Sequence, residues 1–113
     1  MTNREKVNEL KPLPESRGRT TSVYTDLSDG KVITAYNSIA DTIATITFTL
    51  DENDTKQYIM TLKEGRRKPV EKSIKSDGKS VIIATENDSI VVFAKTGNVY
   101  FICSDVLTLY EEK

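Results

Sequence analysis

The chain has 113 residues, 37% of them hydrophobic and 29% charged, with a net charge of −1. That is the size of a single domain able to fold around its own core, and it carries no global field that would draw it to nucleic acid or an anionic membrane. There is no histidine and only one cysteine, Cys103, which excludes Ser-His and Cys-His nucleophile pairs, imidazole metal ligands, an internal disulfide and a multi-cysteine zinc site.

Residues 1–20, "MTNREKVNELKPLPESRGRT", hold two of the three prolines and many charges. "NREKVNEL" suffices for a helical turn or two, which is marginal in isolation. The segment reads as a flexible, extended N-terminal arm that orders when something docks it. It lacks the apolar core of a secretory signal, so synthesis in a cytoplasm is expected. No run in the chain approaches the roughly 20 apolar residues of a membrane-spanning helix.

After Thr20 the hydrophobic period becomes two. Strand-like runs occur at "TSVYT", "KVITAYN", "TIATITFTL", "KQYIMTLK", "PVEKSI", "SVIIATE", "SIVVFAKT" and "NVYFICSDVLTLY". Turn signals separate them, among them Ser28-Asp29-Gly30, Lys63-Glu64-Gly65, Asp77-Gly78, Asn87-Asp88 and Gly97-Asn98, residues that tolerate left-handed torsions or bond their own backbone. About eight short strands at this spacing predict an all-β domain over residues 21–113, a single antiparallel β-sandwich of jelly-roll or immunoglobulin-like type.

Side-chain alternation on a strand places Ala44, Ile46, Phe48 and Leu50 on one side, with Thr45, Thr47 and Thr49 on the other. The first set should pack on a core, and the threonine row should stay wet or meet a polar partner. Tyr58, Met60 and Leu62 repeat the inward set. "SVIIATE" and "SIVVFAKT" are less regular and more apolar, which predicts central strands flanked on both sides.

Candidate sites are few. Arg66, Arg67 and Lys68 in "GRRKP" form a basic cluster after a hairpin turn. It suits contact with phosphate or an acidic protein surface, or simply a solvated loop guarding a sheet edge. Arg17 and Arg19 in "SRGR" make a second basic spot, read as a clamp on a neighbouring subunit or as plain disorder. "DENDT", Asp51 to Thr55, crowds three carboxylates but lacks the spacing and glycine of an EF-hand loop, so a polar hairpin tip is the plainer reading. Phe48, Tyr58, Phe93, Tyr100 and Phe101 sit in strand interiors with no interleaved basic residues. They read as core, not as a stacking platform for single-stranded nucleic acid. Cys103 reads as a small buried hydrophobe. Neither a paired carboxylate site nor a phosphate loop is present, so no catalysis and no cofactor are expected.

"VITAYNSIADTIATITFTLDEN", Val32 to Asn53, gives a strand, an asparagine-containing corner and a threonine-alternating strand, followed by a hairpin and "YIMTLKEG". "ENDSIVVFAKTGNVYFICSDV", Glu86 to Val106, gives an acidic turn, a strand, a glycine turn and a closing strand. In element order and texture this resembles the small β-sandwich domains of tailed-bacteriophage virion proteins, including head fibres, capsid decoration proteins and tail accessory modules. The resemblance implies a structural protein of the virion that binds the major capsid protein or other virion subunits and forms a homo-oligomer such as a trimer. It transfers no individual binding residue. The partner-binding candidates, Arg17, Arg19, Thr45, Thr47, Thr49, Arg66, Arg67 and Lys68, come from the residues themselves. A tail or receptor-binding module, and a small β-barrel that binds nucleic acid or inhibits a host enzyme, are the alternatives.

Overall fold

Strand alternation carries most of the architecture into three dimensions. The computed structural model describes residues 2–13, 15–16, 21–54, 57–86, 88–104 and 106–111, with the backbone alone for 15–16 and 21–26. In chain order the elements are a short helix α1 (Asn3–Val7), then β1 (Lys11–Pro12), β2 (Glu15–Ser16), β3 (Thr21–Asp26), β4 (Lys31–Asn37), β5 (Thr42–Leu50), β6 (Gln57–Glu64), β7 (Val70–Lys75), β8 (Val81–Ala84), β9 (Ser89–Lys95), β10 (Asn98–Cys103) and β11 (Leu107–Glu111). They form two antiparallel sheets. One has the order β1-β11-β4-β5-β6-β7 and the other β2-β3-β10-β9-β8. This is the expected all-β sandwich, built largely from two meanders, β4–β7 and β8–β10.

The core lies between the sheets. Ala44, Ile46 and Phe48 of β5 are buried there, as are Met60 and Leu62 of β6. Phe48 meets Phe101 of β10 edge-on across the interface, with ring centroids 6.3 Å apart at 63°, a geometry that aromatic quadrupoles favour. Cys103 is buried, its thiol donating to Leu107 O at 3.9 Å. Leu50 departs from expectation. It is 41% exposed because β5 runs past the end of the core there, its amide donating to Asp29 Oδ1 at 2.7 Å.

Corner chemistry explains where strands stop. Between β4 and β5 the buried Asn37 accepts from the amides of Ile39 and Ala40, both at 3.0 Å, replacing ladder bonds that the turning backbone gives up. Asp41 beyond it has φ 53°, and its carboxylate accepts from the Tyr36 hydroxyl at 2.9 Å. Burial, with that bond second, raises the Tyr36 pKa. The β9–β10 hairpin turns on Thr96 and Gly97, with φ 51° and 84°, one residue earlier than the Gly97-Asn98 signal. Two left-handed residues make a type I′ turn, whose first position favours Asn. Thr96→Asn is therefore expected to relieve a β-branched residue in a left-handed well and stabilise the fold by roughly 1 kcal/mol, read as a rise in thermal midpoint.

Two features of the sequence reading change. The run "NVYFICSDVLTLY" is two strands: the chain leaves one sheet after Cys103, and Leu107 N donates to Ser104 O at 3.1 Å as it enters the other. The described part of the leading segment is docked on the protein's own body. Thr2 caps α1, its hydroxyl accepting from Glu5 N at 3.2 Å. Val7 and Leu13 are buried, and Leu13 N donates to Leu109 O at 3.0 Å. β1 extends one sheet beside β11, and β2 extends the other beside β3.

Candidate functional site

The basic cluster lies where β6 turns into β7. Gly65 takes φ 54°, a left-handed turn that glycine adopts without a Cβ penalty, and Arg67 N donates to Glu64 O at 3.1 Å. Arg66, Arg67 and Lys68 are all exposed. Glu64 organises them. Its Oε1 accepts from Arg67 Nη1 at 3.1 Å and from the backbone amide of Glu86 at 2.8 Å, so one carboxylate links the hairpin to the β8–β9 loop of the opposite sheet. Lys63 Nζ donates to Arg67 O at 2.6 Å and stiffens the hairpin from the other side.

Two clefts flank this hairpin and share Glu64 and Arg67. The larger, about 490 Å³, is lined by Asn3 and Lys6 of α1, Thr42, Ile43 and Thr45 of β5, and Lys63, Arg66, Arg67 and Glu86. Four cations face two carboxylates there, an excess of two positive charges in a chain whose net charge is −1. Since Glu64 is held by Arg67 and the Glu86 amide, Lys6 and Arg66 make the cleft a fit for an anionic group, with the Thr42 and Thr45 hydroxyls as further donors. The second cleft, about 430 Å³, has Leu62, Val70 and Ala84 on its walls and Arg67 and Lys68 at its rim.

The structure thus joins some of the expected residues and separates others. Thr45 shares the larger cleft with Arg66 and Arg67, whereas Lys68 borders the smaller one. Thr47 and Thr49 lie further along the same outer face, opposite Thr61 and Ile59 in register, and line neither cleft. Arg17 and Arg19 fall outside the described residues. Lys6 was not singled out by sequence, because only docking of α1 against the sandwich brings it near the hairpin.

Asp51 turns inward on its own loop, accepting from Gln57 Nε2 at 2.6 Å and Asn53 N at 2.9 Å. The Gln57 bond first, and the Asn53 amide next, hold its carboxyl below the usual 3.8. Among the described residues no group of three or more His, Cys, Asp or Glu is placed to hold a metal, and no helix is long and apolar enough to cross a membrane.

Compared with known proteins, the chain matches no family model, no curated protein and no solved structure.

A second surface was misread from sequence. Phe93 and Tyr100, expected in the core, stack on each other at 4.9 Å and 15° and are only half-buried. They lie on the outer face of the five-stranded sheet, because the inward set on those strands is Ile90, Val92, Ala94, Val99 and Phe101. Beside the pair runs a row set by register, Ile102 opposite Val91 and Val91 opposite Ile82, ending at the 62% exposed Ile82. β8 is an edge strand. β9 is a central strand between β10 and β8, as expected, whereas β8 is not; the apolar residues on the outer side of both strands form this stripe.

Proposed function

We propose that the protein is a non-enzymatic attachment module that seats an acidic group of a partner protein in the larger hairpin cleft. The supporting observation is the convergence of Lys6, Lys63, Arg66 and Arg67 from a helix, a strand and a turn on one cavity. Cations held at fixed positions around a concavity recognise a carboxylate better than scattered surface charges, which are screened and entropically loose. Taken with the resemblance to tailed-phage β-sandwich domains, the partner is a virion subunit such as the major capsid protein, and the role is capsid decoration or a head-fibre component. Thr45 adds a hydroxyl to the cleft, and Thr47 and Thr49 continue the polar face of β5 beyond it.

Poly-L-glutamate serves as the probe. The protein should bind it at about 50 mM salt and release it at about 500 mM. The double variant Arg66→Glu/Arg67→Glu should lose at least about tenfold in affinity while remaining folded, since both side chains are exposed. Absence of binding by the wild-type chain removes the acidic-partner reading. Preferential binding of oligodeoxythymidylate would move the assignment to single-stranded nucleic acid. The virion role has a separate check, detection of the protein in purified particles from its source; its absence there removes that role.

A further inference from the structure

We propose that β8 pairs with β8 of a second copy, antiparallel and about a two-fold axis through Ile82, joining two five-stranded sheets into one of ten strands. The inference is independent of the acidic-partner reading and rests on backbone parity, edge chemistry and charge order.

Parity comes first. Thr85 N donates to Asp88 O at 2.6 Å, and Asp88 N donates to Thr85 Oγ1 at 3.0 Å, so the Thr85 amide faces β9 and sets the bonded phase at the base of the β8–β9 turn. Pairs in an antiparallel ladder alternate between bonded and non-bonded. With Ala84 opposite Ser89, Ile83 opposite Ile90, Ile82 opposite Val91 and Val81 opposite Val92, the bonded pairs are those of Ile83 and Val81. Gly78 N donating to Ala94 O at 2.8 Å fits the same phase, because it requires the even-numbered residues of β9 to face β8. The N–H and C=O groups of Ile82 and Ala84 therefore point away from β9. Among the described residues no strand lies beyond β8 on that side.

Edge chemistry comes next. β7, the edge of the other sheet, carries Glu71, Lys72 and Lys75, and β1 carries Lys11 and Pro12, devices that discourage pairing. β8 is "VIIA", with no charge and no proline, and its outward side chain Ile82 is 62% exposed. A bare apolar edge of this kind is a template for another strand.

Self-complementarity selects the occupant. A two-fold axis perpendicular to the sheet keeps the outer face outward. It sets Ile82 opposite its own copy as a bonded pair and Ala84 opposite Ser80. Lys79 precedes β8 and Glu86 follows it, both exposed, so antiparallel pairing brings each Lys79 within one residue of the second copy's Glu86. The outer row Ile102–Val91–Ile82 then continues into the same row of the second copy, and the two Ile82 side chains shield each other. An isologous edge pairing closes at two chains, unlike the trimer that the resemblance implies.

Four-residue strands give a contact smaller than a standard interface, so a dissociation constant on the order of 100 µM is expected. Sedimentation velocity from roughly 10 µM to 1 mM should show a concentration-dependent monomer–dimer equilibrium. Hydrogen exchange at the upper end should show protection of the Ile82 and Ala84 amides that is lost on dilution. Ile82→Lys places a charge at the two-fold, and Ala84→Pro removes a donor that has no partner within the chain. Each should weaken dimerisation at least about tenfold while urea unfolding stays close to wild type. A wild-type chain that is monomeric throughout, a trimer, or a dimer that both variants leave intact would overturn the proposal.

Discussion

Phe48→Ala is expected to lower the unfolding free energy by about 3–5 kcal/mol. Phe48 is fully buried on the long strand β5 and meets Phe101 across the sandwich. Its removal takes away the apolar surface of one ring and leaves a cavity walled by both sheets, which cannot close without moving backbone on each side. It also ends the edge-to-face pair, worth about 0.5–1.5 kcal/mol beyond area burial. For a domain with roughly 5–15 kcal/mol in total, the variant should unfold at much lower urea than wild type. Phe48→Leu, which retains most of the volume, should recover more than half of the loss. Equal midpoints for wild type and Phe48→Ala would mean that the sheets do not pack through this contact.

Leu13→Ala should cost about 2–4 kcal/mol, a result that a free leading arm would not give. Leu13 is 3% exposed and belongs to the same buried cluster as Leu107 and Leu109, with its amide bonded to Leu109 O. An arm awaiting a partner would be indifferent to this change, because an exposed leucine contributes within about 0.5 kcal/mol. Deletion of residues 2–19, harmless if the segment were only a tether, should destabilise further. It removes Val7 along with Leu13 and strips β1 from β11 and β2 from β3. Urea titration of the two variants separates the cases. A deletion variant as stable as wild type would show that the segment is not part of the fold.

The two flaws in the strand reading share a cause. In "NVYFICSDVLTLY" the buried residues Val99, Phe101, Cys103, Leu107 and Leu109 keep one parity as the chain passes from β10 to β11. Alternation therefore stays in phase while the chain changes sheets, and no local signal marks the crossing. In β8 and β9 an apolar residue points outward as well as inward, a pattern identical to that of a strand buried on both faces. β9 is central, with β10 and β8 beside it, but β8 is an edge strand, and that position depends on which strands pair at long range.

Strand existence, the inward set on β5 and β6, the basic character of the 66–68 turn and the lack of histidine chemistry are readable one residue after another. Each depends on local periodicity, local turn chemistry or composition, and a pleated backbone turns a period of two into two faces wherever the strand lies. The cleft that gathers Lys6 with Arg66, the burial of Leu13, the corner after Cys103 and the open edge at Ile82 are of another kind. They follow from which distant segments become neighbours, and that choice is made by the summed packing of two sheets, which no window of adjacent residues contains.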